Sequence, residues 1–299
     1  GSISRLNELL VNNKNEDTRL RALWTLQITN NLPEKRLIAL LEDKDQYIRA
    51  WAVQFLVEDG QPSPRATQML TALAKKEHSP VVRRYLAGAL QRIDEGNRWE
   101  IAESLVQFKE DARDPNIPLM LWFGIEPLVA KQPEKALALA NESEIPSIVQ
   151  KIARRLVDGD RLENLVEGVG QKSDAQLNLL EGMLAGMEGN TNLKEQKNWT
   201  KVYKTIKQDP KLSSVADEIA QKFGNAEMTQ RLLTILNDSE SKLEDKKNAI
   251  RVLTAQQNLE LESIIPKLLE NPDLRMEAIK AIASYDSQQL GILLYQKYP

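Results

Sequence analysis

The eight residues Asp45-Gln46-Tyr47-Ile48-Arg49-Ala50-Trp51-Ala52 contain a pattern that recurs along this chain. A small polar residue is followed three positions later by a branched apolar one, then directly by an arginine, and three positions further on by a core residue. The four copies are Asp17-Leu20-Arg21-Trp24, Asp45-Ile48-Arg49-Ala52, Ser79-Val82-Arg83-Leu86 and Asn271-Leu274-Arg275-Ala278. Arg49 lies 28 residues after Arg21, and Arg83 lies 34 residues after Arg49. A two-helix unit that recurs at this period is typical of a solenoid.

Apolar residues are spaced at helical intervals throughout the chain, and no run alternates with the period of two that a strand requires. We therefore predict an all-α fold, a right-handed α-solenoid of about eight or nine helix pairs. The predicted organisation is N-terminal repeats over residues 3–93, a break at 94–98, and divergent repeats of the same solenoid over 99–299. Later pairs are predicted at 133–158, 160–188, 196–223, 226–257 and 259–284, with Gly224 at a turn.

The composition excludes several classes of protein. Hydrophobic residues make up 41% and charged residues 28% of the 299 positions, which is typical of a folded chain. The net charge of −3 gives no electrostatic reason to bind nucleic acid or anionic lipid. We expect no membrane-spanning helix and no signal peptide. Residues 1–2 resemble a protease-cleavage scar, and the apolar run at 290–295 suggests a fragment excised from a longer chain.

The residues that carry most protein chemistry are scarce. The chain has no cysteine and one histidine, His78, which excludes thiolate nucleophiles, c-type haem attachment and a site with several histidine ligands. We predict no cofactor, no metal and no catalytic residue. Gly182 and Gly186 lie inside a helical pattern and lack the ending of a phosphate loop, which favours close packing of helices.

Two sets of side chains are candidate sites. The arginines of the repeated pattern could form a cationic row that binds an acidic partner, or an internal ladder at the seams between repeats. We favour the internal ladder, made of Arg21, Arg49, Arg83, Arg275, Asp17 and Asp45. Of the five tryptophans, Trp24 and Trp122 are predicted to lie in the core, and Trp51 and Trp99 are candidates for a partner-binding surface.

The start of the second helix of each pair resembles HEAT repeats, specifically over residues 3–93 and 259–284. Trp99–Leu128, with Asp111-Ala112-Arg113-Asp114-Pro115 before Leu121-Trp122-Phe123-Gly124-Ile125, is similar to the HEAT segment of large bacterial haem-binding proteins, the PVC-type CxxCH proteins often labelled membrane-bound dehydrogenases. In that family the segment links a sugar-dehydrogenase-like β-propeller to a cytochrome c domain. The resemblance implies a linking scaffold exported with its parent, whose catalytic and haem-binding residues lie in the neighbouring domains.

The sequence therefore predicts a non-catalytic scaffold that docks neighbouring domains of a parent chain or another protein. A first alternative is a free-standing HEAT solenoid that binds peptides or proteins. A second alternative is a DNA glycosylase built from HEAT-like repeats. That enzyme would need a basic face for the phosphate backbone, and the acidic balance of this chain argues against it.

Overall fold

The structure is a computed structural model that describes residues 1–60, 62–188, 193, 195–256, 258–285 and 287–297, apart from the side chains of residues 224–227 and 297. Within those ranges the chain is helical and contains no strand. The helices are α1 (Ser2–Asn12), α2 (Glu16–Ile28), α3 (Glu34–Leu40), α4 (Gln46–Leu56), α5 (Pro64–Ala74), α6 (Pro80–Ala89), α7 (Glu95–Leu105), α8 (Ile117–Val129), α9 (Pro133–Glu142), α10 (Pro146–Asp158), α11 (Leu162–Val169), α12 (Gln176–Gly186), α13 (Trp199–Ile206), α14 (Ser213–Asn237), α15 (Leu243–Ala255), α16 (Leu259–Leu268), α17 (Arg275–Ile282) and α18 (Gln288–Lys297). The all-α prediction is confirmed.

The helix starts follow local rules of capping. The side chains of Asn15, Asp45 and Ser63 each accept a hydrogen bond from a backbone N–H in the first turn of the helix that follows. These bonds satisfy donors that no preceding helical carbonyl can reach. Pro80 and Pro146 open α6 and α10, at positions where a missing N–H costs nothing.

The chain forms two compact units, the first comprising Gly1–Gly186 and Thr200–Val215, and the second Met187–Trp199 and Ala216–Pro299. In the first unit, each odd-numbered helix from α1 to α11 packs against the even-numbered helix that follows it. The helices α2, α4, α6, α8, α10 and α12 also pack consecutively against one another, and we call them layer B. The helices α3, α5, α7, α9 and α11 do the same on the other side and form layer A.

This arrangement is that of an α-solenoid, in which each helix pair contacts only its neighbours. Fully buried side chains such as Leu26, Ile48, Leu70 and Leu86 fill the space between the two layers. The handedness of the stack stays a prediction.

The second unit has its own core, to which α14 to α18 contribute. Ile250, Leu261 and Ala278 are buried there, and Leu290 of α18 is only 5% exposed. The apolar run 290–295 packs on the helices that precede it, because Leu293 and Leu294 also contact this core. Among the described residues, no helix combines the length and apolarity needed to cross a membrane.

Two predicted boundaries are wrong. Residues 94–98 are no linker, because α7 begins at Glu95 and packs against α5, α8 and α9. The division into compact units falls at 186–216 instead. The predicted break at Gly224 is also absent, since α14 runs without interruption from Ser213 to Asn237. One interior glycine disfavours a helix by only about 1 kcal/mol, too little to end one of this length.

Candidate functional site

Arg49 of α4 binds a carboxylate in the following helix pair. Its Nε and Nη2 atoms donate to the two carboxylate oxygens of Glu77, both at 2.8 Å. Its Nη1 atom donates to the main-chain carbonyl of Asp43 at 2.8 Å. The guanidinium thus joins the turn of its own helix pair to the turn of the next one. Its contact with the carboxylate is bidentate, a geometry that suits the planar guanidinium group.

Arg83 of α6 repeats this arrangement one helix pair further on, with deeper burial. Its Nε and Nη2 atoms donate to Asp111 at 2.5 and 2.7 Å, and Nη1 donates to the carbonyl of His78 at 2.7 Å. The side chains of Arg83 and Asp111 are only 1% and 2% exposed. The guanidinium carbon also lies 3.9 Å from the centre of the Phe108 ring.

The structure corrects the first member of the predicted ladder, because Arg21 and Asp17 are both exposed. The buried arginine is Arg19, which donates to Asp43 at 2.5 Å and to the carbonyl of Leu10 at 2.8 Å. The reason is the start of α2, which is capped by Asn15. Arg19 comes four residues after its cap, as Arg49 does after Asp45. We call Arg19, Arg49 and Arg83 with Asp43, Glu77 and Asp111 the arginine ladder.

Two predicted members lie beside the ladder or outside it. Asp45 caps α4 by accepting from the backbone N–H of Tyr47 at 2.9 Å, and its Oδ2 atom lies 3.9 Å from Nη1 of Arg19. Arg275 lies in the second unit, where its Nε atom donates to the carbonyl of Leu269 at 3.0 Å. An ion pair that the pattern did not predict occurs nearby, between Arg251 and Glu277 at 3.2 Å.

The ladder ends where its residues change. In the spacing of the repeated pattern, Pro118 stands where the arginine would follow Asp114 and Ile117, and it is buried at the start of α8. In the next helix pair, Ser143 lies two residues before Ile145, the N-cap of α10. Asp43 and Glu77 likewise lie two residues before the N-caps of α4 and α6. The acid is therefore missing where the arginine is missing, which supports a structural role for each pair.

The environment of Glu77 favours its charged form. Burial by itself would raise the pKa of the Glu77 carboxyl, but hydrogen bonds from Arg49 and from the backbone N–H groups of Ser79 and His78 outweigh it and lower the pKa below 4.5. The same hydrogen bond raises the pKa of the Arg49 guanidinium. Glu77 is thus held as an anion between two helix pairs.

We expect this pair to make folding sensitive to acid. A carboxyl whose pKa is lower in the folded state contributes its full stabilisation above the unfolded value of 4.5, and loses it as the pH falls through the folded value. The loss in unfolding free energy between about pH 6 and pH 3 should be larger for the native chain than for Glu77→Gln. Urea titrations at both pH values measure it, and equal losses in the two chains would contradict this assignment.

The two tryptophans predicted at a surface behave differently. Trp99 of α7 is only 3% exposed, and its Nε1 atom donates to Gln132 at 3.2 Å. It belongs to the core, because α7 starts at Glu95 and turns this position inward. Trp51 of α4 is half-buried. Its ring lies 5.2 Å from that of Trp24 and 6.0 Å from that of Tyr85, measured between ring centres.

Layer B also carries exposed apolar side chains, and we call these residues together with the rings the aromatic face. Its residues are Trp24 and Ile28 of α2, Tyr47, Trp51 and Phe55 of α4, Tyr85 of α6, and Leu119 and Phe123 of α8. Tyr47 is 44%, Leu119 45%, Phe123 56% and Ile28 83% exposed. Trp24, predicted in the core, is half-buried here.

Layer A presents a different surface. Its exposed positions are mostly charged, as with Lys35, Arg65, Glu100 and Glu134. Within the described residues of layer A, no large hydrophobic side chain is exposed. The two faces of the first unit therefore differ strongly in polarity. Among the described residues, no group of three histidine, cysteine or acidic side chains is placed to hold a metal ion.

Comparison with known families agrees with this geometry. Residues 3–91 match the family described as HEAT repeats. This part of the chain is a HEAT-repeat segment. The match ends near the start of α7, and the ladder that links α2, α4 and α6 lies mostly inside it.

Similarity to individual proteins is weak. No curated protein matches the chain. Among solved structures, the chain is similar to an engineered protein from the Northeast Structural Genomics Consortium. That protein is 13% identical, the alignment covers 96% of this chain and 99% of that one, and the TM-score is 0.28.

Proposed function

We propose that this chain is a scaffold module without a reaction of its own, which docks a protein partner on the aromatic face. The observation that carries the proposal is the contrast between the two layers. Exposed apolar side chains of α2, α4 and α8 lie on layer B, while layer A exposes charge. Large apolar patches on a soluble protein mark surfaces that bind other proteins.

The HEAT-repeat segment suits this role. Its arginine ladder fixes successive helix pairs relative to one another, which keeps side chains on different helices at constant spacing. A surface built from several repeats in this way is rigid before a partner arrives, and less ordering entropy is then lost on binding.

We further propose that the chain belongs to a multidomain bacterial redox protein, between a dehydrogenase-like propeller and a cytochrome c domain. The resemblance of Trp99–Leu128 to the corresponding segment of such proteins supports this placement. The reaction and the haem would then belong to the neighbouring domains, and this module would hold them in position outside the cytoplasm.

The test is site-specific photo-crosslinking in the source organism, with a photoreactive amino acid at Tyr47 or Phe123. Arg65 on layer A serves as the matched control position. We expect covalent products from the two layer B positions and fewer from the control, and mass spectrometry should identify a propeller or cytochrome domain. Equal crosslinking from both layers would contradict the docking role.

A further inference from the structure

The helix-to-helix spacing expected in layer B fits one kind of partner segment. Neighbouring packed helices lie about 8–10 Å apart. A polyproline II helix advances about 3.1 Å per residue and has three residues per turn, so every third residue repeats at about 9 Å. Such a segment, crossing layer B at right angles, would place one residue per turn against each of α2, α4, α6 and α8 in succession. About nine residues would span the four helices.

The side chains on this face have the chemistry that such segments require. Grooves lined by tryptophan and tyrosine bind proline-rich segments, because flat rings fit the apolar ridges of a helix that is already extended. Trp24, Trp51 and Tyr85 provide rings on three successive helices, and the contacts between them hold the rings in place. A preformed surface and a preformed ligand both lose little entropy on binding.

The charged side chains around the aromatic face indicate which residues should flank the bound segment. Among the described residues, no carboxylate lies within ion-pair distance of Arg21, Arg84 or Lys151, although Asp17 is one helical turn from Arg21. Lys151 lies 6.0 Å from the ring centre of Trp122, at the α10 border of the face. Arg21 lies at the opposite border, on α2. Cations at both borders favour acidic residues at both ends of a bound segment.

We propose that the aromatic face binds an extended proline-rich segment of about nine residues with acidic flanks. This inference rests on the proposed docking function and names the partner's chemistry. A second copy of the chain is disfavoured, because a self-complementary contact would bring the same unpaired cations together. The segment would belong to a neighbouring domain or to a separate protein.

The experiment uses a fluorescein-labelled peptide of nine prolines with three glutamates at each end, titrated with the whole chain at low salt. Fluorescence anisotropy reports binding. Two control peptides replace the glutamates by lysines or the prolines by alternating glycine and serine. We expect either control to bind at least tenfold more weakly than the acidic proline peptide.

Variants of the chain locate the site. Arg21→Glu with Lys151→Glu should weaken binding at least tenfold, and Tyr47→Ser with Phe123→Ser should do the same. The matched control is Lys35→Glu with Arg65→Glu, which makes the same change of charge on layer A and should leave affinity within twofold. The substituted side chains are exposed apart from Lys151, which is partly buried, and circular dichroism checks that each variant folds.

Three results would overturn the inference. The first is no binding of the acidic proline peptide at 1 mM, and the second is equal binding of the control peptides. The third is a dimer in sedimentation equilibrium that Tyr47→Ser with Phe123→Ser abolishes, which would assign the face to a second copy. Crosslinks from Tyr47 to a folded domain, combined with no peptide binding, would leave the docking function standing and reject only the proline-rich partner.

Discussion

Replacing Arg83 by alanine is expected to lower the free energy of unfolding by about 3–5 kcal/mol. The side chain of Arg83 is 1% exposed, and the carboxylate that it binds, Asp111, is 2% exposed. Truncation would leave Asp111 charged in a site that water does not reach, together with an unpaired carbonyl at His78. Removing one partner of a buried ion pair is among the most destabilising single changes.

Urea unfolding followed by far-UV circular dichroism and by tryptophan fluorescence measures this effect. Both signals are needed, because repeat arrays can unfold in stages. The matched control is Arg21→Ala on α2, an exposed position where the change should stay within about 0.5 kcal/mol. Arg49→Ala should fall between the two, at about 1–3 kcal/mol, since the side chain of Arg49 is 17% exposed.

A double variant separates burial of charge from simple loss of packing. Arg83→Met with Asp111→Leu removes both charges and keeps apolar volume, so it should recover most of the stability lost in Arg83→Ala. If Arg83→Ala costs less than about 1 kcal/mol, or if the double variant is no better, the pair does not have the structural role assigned to it here.

The ladder shows how far local sequence can specify such a site. Arg49 and Arg83 could be identified because each follows a capping residue by four positions. In α2, two arginines satisfy the same rule, because Asn15 precedes Arg19 by four residues and Asp17 precedes Arg21 by four residues. Core packing chooses between them, because capping at Asn15 buries Leu23 and Leu26 completely.

The acidic partners were harder to predict. The expected partners were the caps Asp17 and Asp45, whereas the structure uses Asp43, Glu77 and Asp111, which lie in the segments that precede α4, α6 and α8. Which carboxylate an arginine reaches depends on how neighbouring helix pairs stack, and a local pattern does not contain that. A usable signal was present, however: Arg49 to Glu77 and Arg83 to Asp111 are both steps of 28 residues.

The candidate surface was predicted in part. Trp51 lies on the aromatic face, but Trp99 is buried, and Tyr47, Tyr85 and Phe123 were not singled out. A single aromatic residue in an amphipathic helix can face the core or the solvent, and only the register of the whole helix decides. Once the caps are known, Trp51 and Tyr85 share the sixth position after the cap, so these two residues of the surface follow from the repeat alignment.

Replacing Gly182 by alanine is expected to lower the free energy of unfolding by about 3 kcal/mol, at the upper end for overpacked sites. A methyl group at this position of α12 would clash with the main-chain oxygen of Gln150 and lie 2.8 Å from the Cβ atom of Ala153. Neither atom can yield without moving α10. A methyl group at Gly186, one turn later, would lie 2.8 Å from the Cβ atom of Val157, which is also on α10. The close packing of helices that the sequence indicated is thus confirmed.

The matched control is Gly88→Ala on α6, another glycine of layer B. Its nearest neighbour would be the sulfur atom of Met120 at 3.8 Å, an ordinary contact. Because alanine favours the helix over glycine by up to about 1 kcal/mol, this variant should be as stable as the native chain or slightly more so. Alanine gains the same helix propensity at Gly182. A net loss of unfolding free energy in Gly182→Ala therefore measures the cost of forcing α10 and α12 apart. Equal thermal midpoints for the two variants would mean that the helices can part freely, and that the stack is not fixed by this contact.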